Sequence, residues 1–325
     1  KAYSDSNFDD SFITTLPIQA DCSNSGLQHY SAMMRDEVGG KATNLVPSNK
    51  PADVYNLVAI EVTKKLQSKT DELATKWLAY KINRKICKKP VMCLPYSLTR
   101  YSCRQYLEDH VTKELAERGT KHEFGEDLFK ATAYLTPIVW ESINDVVVKA
   151  REIMEFLKTI ARLVASENLP VCWTTPLNFP VQMLCYKKES KRVKTKMGDS
   201  IVKLSIASET DTIDVRRVAQ SCVPNLIHSL DASVLMLAVV KAKEAGVDNF
   251  SMIHDSFGCT APDNKIMAKA VRDAFCEIYT DDVLLNYANE MKAMLSEKNL
   301  KKFPTMPIKG NLDLDEVKKS VFFCI

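Results

Sequence analysis

The stretch "SMIHDSFGCT", residues 251–260, carries a polar pair inside an otherwise apolar run. The pair is His254-Asp255, and β-prone apolar residues flank it on both sides. This pattern predicts two short strands joined by a tight turn that holds the pair. An aspartate buried in a strand would lose its hydration without compensation. Asp255 is therefore either a plain turn residue or a carboxylate that a cation stabilises.

A second aspartate stands at a comparable place. "TTLPIQAD", residues 14–21, predicts a strand that ends at Asp21, and a turn of small residues follows. If the fold brings Asp21 and Asp255 together, the two charges repel each other unless a cation joins them. Mg²⁺ takes carboxylate oxygens and keeps positions open for phosphate oxygens, and two such ions can serve phosphoryl transfer. On spacing alone, a turn or cap role stays open for both aspartates.

A basic segment adds a third element. "NRKICKKPVMCLPYS", residues 83–97, places Lys88 four residues after Arg84 and eight before Tyr96. Residues at these intervals lie near one face of a helix. Two cations and a phenol along one stripe suit a nucleoside triphosphate, because the cations neutralise phosphate and the ring can meet the sugar and base. An amphipathic helix with solvated lysines is the alternative, and Pro90 and Pro95 predict breaks in a regular helix.

The rest of the chain is mostly helical in pattern, and the sequence predicts a mainly helical α+β protein. Hydrophobic spacing predicts helices over residues 25–38, 52–69, 71–116, 127–168 and 214–246, with a break or kink at Pro137. β-like segments follow Pro170, and residues 191–207 predict a hairpin around Met197-Gly198-Asp199. The first dozen residues are polar and acidic, which predicts a surface lead-in.

Composition leaves several classes open. The chain has 325 residues, of which 46% are hydrophobic, and a formal charge of +3 from 44 basic and 41 acidic residues. This balance excludes neither nucleic acid nor a small substrate, so the distribution of charge matters more. Basic residues cluster at Arg84–Lys89 and Lys187–Lys196, which indicates either a polyanion groove or solvated faces. No apolar run reaches the length of a membrane span, and no signal peptide is visible.

The ten cysteines form no C-x-x-C pair and show no zinc spacing. Several lie within apolar stretches, as Cys93 does in "VMCL". This usage predicts small buried apolar residues in a reducing compartment.

Taken together, the motifs resemble those of one family, the single-subunit DNA-directed RNA polymerases of phages and mitochondria. "DCSNSGLQHYSAMMRDEVGG" (21–40) resembles its first catalytic motif, and "RKICKKPVMCLPYS" (84–97) its fingers-helix motif. "VPNLIHSLDAS" (223–233) is similar to its histidine-bearing helix, "HDSFG" (254–258) to its second catalytic motif, and "GNLDLDEVKKSVFFCI" (310–325) to its C-terminal foot. The motifs stand in the family's order from about residue 15 onward. The resemblance implies a right-handed palm and fingers with a small antiparallel palm sheet.

The resemblance also implies roles for single residues. Asp21, Asp255 and the backbone carbonyl of Cys22 would hold two Mg²⁺ ions, and His254 would support the turn. Lys88 and Arg84 would bind the triphosphate of an rNTP, and Lys88 would also serve as a proton donor. Further expected contacts are those of Tyr96 and His228 with the ribose and the new base pair, and of Tyr101 with the template.

On the same resemblance, residues 1–50 form palm, 51–220 fingers, and 221–325 palm and foot. A hairpin at 186–210 would be the family's specificity loop, with Arg192, Lys194 and Lys196 on promoter DNA. The expected partners are double-stranded DNA, nascent RNA, rNTPs and an upstream part of the polymerase that this chain does not include; no membrane is expected. The "LPY" variant favours a phage protein in the cytoplasm of an infected bacterium, with the mitochondrion as alternative.

The sequence departs from the family pattern at two positions, and two other functions are alternatives to the RNA polymerase interpretation. Ser97 and Cys22 occupy positions where the family has glycine or a similarly small residue, and Ser97 raises doubt about local backbone geometry. A related DNA polymerase would share the Mg²⁺ carboxylates, but such enzymes end their last motif in His-Asp-Glu, whereas Ser256 follows here. A non-catalytic nucleic-acid-binding remnant is the other rival, and the short chain favours it while the retained Asp21, Asp255, Lys88 and Tyr96 oppose it.

Overall fold

The computed structural model describes residues 2–5, 14–119, 124 and 127–324, so most of the predicted acidic lead-in lies outside the described residues. These residues form a mainly helical α+β fold with small antiparallel sheets, as predicted. The α-helices are α1 (Ala2–Asp5), α2 (Ser25–Met34), α3 (Glu37–Ala42), α4 (Val54–Gln67), α5 (Glu72–Tyr80), α6 (Arg84–Cys93), α7 (Arg100–Arg118), α8 (Leu128–Val146), α9 (Val148–Ser166), α10 (Val215–Glu244), α11 (Asn264–Glu277), α12 (Val283–Met294), α13 (Glu297–Leu300) and α14 (Asp315–Lys319).

A three-stranded antiparallel sheet positions both aspartates. It consists of β1 (Ile18–Asp21), β6 (Phe250–Ile253) and β7 (Ser256–Cys259), in the order β1-β7-β6. The predicted strand-turn-strand is confirmed, because Ile253 pairs with Ser256 and leaves His254 and Asp255 as the turn. Asp21 pairs with the same Ser256 from the other side, which brings the end of β1 next to the turn.

Helix α10 is the longest helix among the described residues. It has 30 residues, contains Pro224, and packs against α9 and α11. By length and composition it could cross a membrane, since its most apolar window has a mean hydropathy of 1.6. In this fold 39% of that window is buried, and the buried side chains of the helix include Val218, Leu226 and Leu230.

Several predicted helix boundaries are wrong. The helix expected over 25–38 ends at Met34, because Arg35 adopts a left-handed conformation with φ of 51°. Pro90 lies inside α6 and Pro137 inside α8 without ending either helix. A single proline removes one helical hydrogen bond, and packing compensates for it here. The break between α8 and α9 instead falls at Val147, within a run of three valines whose branched side chains weaken helix propensity.

Two hairpins precede α10. The shorter consists of β2 (Val171–Thr174) and β3 (Pro180–Met183), and the longer of β4 (Tyr186–Met197) and β5 (Ser200–Ile213). The predicted turn is confirmed, with Gly198 at φ of 60°, but the ladder extends beyond residues 191–207 at both ends. At its base, Asn168 accepts a hydrogen bond of 2.7 Å from the Ile213 amide. From there, β4 extends roughly 40 Å at its usual rise per residue.

The cysteine prediction is wrong for one pair. Cys22 and Cys324, which are 302 residues apart in sequence, form a disulfide. No spacing rule connects residues that far apart, so only the fold brings them together. The other eight are free, and they are buried in four cases and partly exposed in the rest: Cys87, Cys103, Cys222, Cys259, Cys93, Cys172, Cys185 and Cys276.

Candidate active site

A cleft of about 400 Å³ lies between the three-stranded sheet and α6. It collects most of the residues that the sequence singled out, namely Asp21, Cys22, Arg84, Lys88, Tyr96 and Asp255. They come from segments more than 230 residues apart, since Asp21 ends β1 and Asp255 precedes β7. The chain therefore places two carboxylates, two cations and a phenol around one opening.

The two aspartates approach through the backbone of the sheet. The amide of Cys22 donates a hydrogen bond of 3.2 Å to the carbonyl of Asp255, which locks the turn to the end of β1. Burial raises the pKa of Asp255, and the negative charge of Asp21 raises it further. A hydrogen bond with Ser25 opposes this rise. The site thus holds a partly buried carboxylate that a nearby cation would stabilise.

These donors fit Mg²⁺ better than a soft metal. Among the described residues, no group of three or more His, Cys, Asp and Glu side chains could hold a metal by itself. Two carboxylates that share a partly buried opening match Mg²⁺, which is usually bound through one or two carboxylates plus substrate phosphates and waters. Burial and the neighbouring charge of Asp21 raise the pKa of Asp255, so a cation beside the two carboxylates would favour the charged form of Asp255.

Gly26 allows the first turn of α2 to approach the segment after α6. A Cβ built on Gly26 would lie 2.6 Å from Cβ of Pro95, a distance that atoms do not adopt, and 3.5 Å from the hydroxyl of Tyr96. This close contact with the end of the fingers-helix motif explains why glycine occupies position 26. The neighbouring residue, Ser25, interacts through its side chain with both Asp255 and Tyr96.

Tyr96 forms one wall of a second cavity of about 540 Å³, which adjoins the cleft and is also lined by Ser25, His228, Asp231 and Asp255. The Tyr96 ring packs against His228 with centroids 4.9 Å apart. Burial raises the pKa of Tyr96 to about 12, although a hydrogen bond with Ser25 lowers it in part. Tyr96 therefore stays a neutral hydrogen-bonding group near neutral pH.

Arg84 lies at the start of α6 and contacts the N-terminal end of α4. Its Nε atom donates to Asp53 at 2.5 Å, and its guanidinium lies 5.1 Å from the ring centre of Tyr55. Asp53 is also the N-cap of α4, so the pair joins the two helices. Lys88 follows one turn along α6 and is exposed towards the cleft, without an ion-pair partner among the described residues.

Sequence reasoning missed several residues of this site. Asp231 lies one turn after His228 on α10, and their i,i+3 spacing could have indicated a shared face. Its carboxylate lies 2.9 Å from Nε2 of buried His29, whose Nδ1 lies 2.6 Å from the hydroxyl of Tyr279. Tyr55 and Asp53 gave no local signal, because only the packing of α4 against α6 brings them to Arg84.

Two predicted sites lie apart from the cleft. Tyr101, in the first turn of α7, is 65% exposed and lines neither cavity. On the β4–β5 hairpin, the register places Lys194 opposite Lys203, and alternation puts Arg192 and Lys196 on the same face. We call Arg192, Lys194, Lys196 and Lys203 the basic face; none has an acidic partner among the described residues. The opposite face carries Lys191 and apolar side chains, including Val193, Met197, Leu204 and Ile206.

Ser97, where the sequence departs from the family pattern, has the unusual backbone that the departure suggested. It adopts a left-handed conformation with φ of 65° directly after Tyr96. Its hydroxyl is buried and has no hydrogen-bond partner in the described structure. Glycine would adopt this conformation without a Cβ penalty, so serine strains the segment that carries Tyr96.

Comparison with known proteins agrees with these motifs. The sequence profile of the family described as DNA-dependent RNA polymerase matches residues 1–302. The chain is 34% identical to the DNA-directed RNA polymerase of Enterobacteria phage T3, and the match covers 96% of this chain and 40% of the phage protein. It is 33% identical to T7 RNA polymerase of Escherichia phage T7, with 96% and 40% covered. It is also 35% identical to DNA-directed RNA polymerase 1, mitochondrial, of Arabidopsis thaliana, with 98% and 32% covered.

The chain thus spans about a third to two fifths of the length of these relatives. The match runs through both aspartate motifs and the α6 segment between them. The cleft that joins these motifs therefore lies within the matched region. This chain belongs to the family of single-subunit, phage- and mitochondrial-type DNA-directed RNA polymerases.

Proposed function

We propose that this chain is the catalytic, C-terminal portion of an RNA polymerase that synthesises RNA from rNTPs on a DNA template. The observation that carries the proposal is the convergence of Asp21, Asp255, Arg84, Lys88 and Tyr96 on one cleft. Residues 1–50 would be palm, residues 51–220 fingers with the β4–β5 hairpin, and residues 221–325 palm and foot. Its relatives are phage, mitochondrial and chloroplast enzymes, so an infected bacterium and an organelle are both candidate locations.

The residues of the cleft divide the reaction between them. Asp21, Asp255 and the Cys22 carbonyl would hold Mg²⁺, which when bound activates the RNA 3′-hydroxyl and neutralises the triphosphate. Lys88 and Arg84 would neutralise phosphate oxygens, and Asp53 and Tyr55 would keep Arg84 in place. Lys88 would give a proton to the departing pyrophosphate oxygen.

Tyr96 and His228 would select the sugar. Their stacked rings wall the cavity next to the carboxylates, where the ribose of an incoming nucleotide would lie. The neutral Tyr96 hydroxyl would contact the ribose hydroxyl, and its loss should relax discrimination before it slows synthesis. Tyr96→Phe is therefore expected to incorporate dNTPs more readily while it extends with rNTPs at a similar rate.

The basic face of the β4–β5 hairpin would contact promoter DNA. Its four cations lie on one side of a ribbon that extends far from the body, a shape that fits a major groove. Tyr101 would handle the template nearby, although it lies outside the cleft. The upstream part of the polymerase that the family resemblance implies would complete binding and activity, so this chain alone should synthesise little RNA.

Extension of a preformed RNA–DNA hybrid tests the proposal. The chain joined to the upstream part of its polymerase should extend the RNA with rNTPs and Mg²⁺. Preference for dNTPs would support a DNA polymerase instead, and no extension with either, despite template binding, would support a non-catalytic remnant.

A further inference from the structure

The Cys22–Cys324 disulfide joins the end of the chain to the strand that carries Asp21. Cys22 directly follows Asp21, and Cys324 is the penultimate residue. Their Cα atoms lie 4.1 Å apart, and their backbones pair as an antiparallel bridge. The bond therefore closes the C-terminal segment, residues 320–324, against the edge of the cleft.

Contacts other than the sulfur bond also hold this segment. Arg272 donates from Nε to the carbonyl of Ser320 at 2.7 Å and from Nη2 to that of Val321 at 3.2 Å. The hydroxyl of Ser320 donates to the carbonyl of Asn44 at 2.7 Å. These bonds need no disulfide, so they would keep the segment nearby after reduction.

Phe323 provides a second attachment next to the cysteine. Its side chain is 1% exposed and packs against Phe275 with ring centroids 4.9 Å apart. Its carbonyl accepts a hydrogen bond of 3.1 Å from Nε2 of Gln28. Cys324 is thereby held opposite Cys22 whether or not the sulfurs are bonded, which favours re-formation of the bond.

Burial sets three of the other cysteines apart from this pair. Burial raises the pKa of Cys87 and Cys103 to about 12 and that of Cys222 to about 11, so these thiols stay protonated and unreactive. Cys22 and Cys324, in contrast, are both partly exposed. Four other cysteines are also partly exposed, namely Cys93, Cys172, Cys185 and Cys276, but among the described cysteines only Cys22 and Cys324 are joined to each other. A small thiol or disulfide can reach them more readily than it can reach the buried thiols.

We propose that Cys22 and Cys324 form a reversible redox site that fastens the C-terminal segment beside the catalytic strand. In reduction, the thiolate of a glutathione-type thiol attacks one sulfur and forms a mixed disulfide. A second thiol attacks that intermediate, so both cysteines become thiols and two reductant molecules leave as one disulfide. Oxidation by a glutathione-type disulfide is the reverse. In proteins of reducing compartments, such bonds are usually transient or redox-sensing.

Thiol counting tests the pairing. The full chain, purified without reductant and then denatured in an alkylating agent, should label eight of its ten cysteines. Mass spectrometry should find Cys22 and Cys324 in one linked peptide. Labelling of all ten, or a linked peptide with other cysteines, would overturn the proposal. After reduction, transfer to oxidised glutathione should restore the same peptide in folded protein but mixed pairs in urea; mixed pairs in both would also overturn it.

Hydrogen exchange tests the effect on the segment. Reduction should accelerate exchange of the amides of residues 321–324 about tenfold, because the crosslink no longer opposes their opening. Cys324→Ser should exchange at the reduced rate in either buffer, whereas Cys103→Ser should respond as the parent does. An unchanged rate on reduction, or a redox response that persists in Cys324→Ser, would contradict the proposal. Neither readout requires polymerase activity, so this inference can fail independently of the proposed function.

Discussion

The cleft and the β4–β5 hairpin carry cations in opposite settings. In the cleft, Arg84 lies against the ring of Tyr55 and bonds to Asp53, and the carboxylates are fixed by backbone pairing with neighbouring strands. On the hairpin, the basic face has no acidic partner among the described residues, and nearly every side chain is exposed. We expect the first arrangement to fix groups for chemistry and the second to leave charge available to a large polyanion. Changes in the cleft should therefore affect the rate of synthesis, and changes on the hairpin should affect binding.

The largest expected effect comes from Lys88, the cleft cation that has no ion-pair partner among the described residues. Lys88→Ala should slow RNA extension about 10²-fold or more, because the charge and proton that it supplies act on the transition state. Single-turnover extension of a preformed hybrid measures this rate. Lys89→Ala is the matched control, since Lys89 follows on the same helix but lies over the ring of Tyr106. Equal losses of extension rate in the two variants would contradict a specific role for Lys88 in the cleft.

Mg²⁺ should stabilise the cleft in a manner that depends on pH. Because the pKa of Asp255 is raised in the fold, protonation of Asp255 stabilises the metal-free fold at low pH. This stabilisation is lost as the pH rises through the raised pKa. Mg²⁺ should replace it at neutral pH, with about 2–3 kcal/mol of stabilisation at a hundredfold excess over Kd. Thermal unfolding with and without Mg²⁺ measures the gain.

The gain from Mg²⁺ should shrink in acid as protons compete for the carboxylate. It should also be small in Asp255→Asn, whereas Asp248→Asn, an exposed aspartate paired with Lys243, should respond as the parent does. The same response to Mg²⁺ in both variants would show that the ion binds elsewhere.

The hairpin should lose DNA binding without losing chemistry. Replacement of both Arg192 and Lys194 by alanine should reduce promoter-dependent initiation about tenfold and lower the slope of log K against log salt by about 2. Extension of a preformed hybrid should stay unchanged. The matched control is Lys191→Ala on the opposite face, which should lower initiation less. Parallel losses in initiation and extension would contradict the division between the two regions.

A smaller effect, on the free energy of unfolding, is expected from the strained backbone of Ser97 beside the cleft. Ser97→Gly should stabilise the fold by about 1 kcal/mol, because glycine adopts the left-handed backbone without a clash. Ser97→Ala removes only the buried, unpaired hydroxyl and keeps the Cβ, so it separates the two costs. Urea unfolding measures both variants. Destabilisation by glycine would mean that the Ser97 side chain supports Tyr96 instead of straining it.

Local patterns predicted the core of the site. The polar pair in a β-prone stretch correctly gave the turn at Asp255, and the end of "TTLPIQAD" correctly gave the strand end at Asp21. Glycine at 198 likewise gave the hairpin turn. These features depend on a few neighbouring residues, whose turn and strand preferences agree with the final fold.

Other features depend on packing between distant segments and left no local trace. The contact of Asp53 and Tyr55 with Arg84, the His29–Asp231–Tyr279 group and the Cys22–Cys324 bond all join residues from separate elements. The breaks expected at Pro90 and Pro137 are absent for a related reason, because tertiary packing outweighs the loss of one helical hydrogen bond. The hairpin exceeds the 191–207 range predicted from the sequence pattern because its exposed strands follow no clear alternation of apolar and polar residues, whereas the 186–210 range implied by the resemblance is close to the observed ladder.

The most direct test of the central claim is the extension rate of Asp255→Asn on a preformed RNA–DNA hybrid, with the upstream part of the polymerase present. The substitution keeps the size of the side chain and removes one of the two negative charges that would hold Mg²⁺. The account predicts a loss of at least about 10²-fold in single-turnover extension, with template binding unchanged. A rate within a fewfold of the parent would contradict a catalytic role for the carboxylate pair.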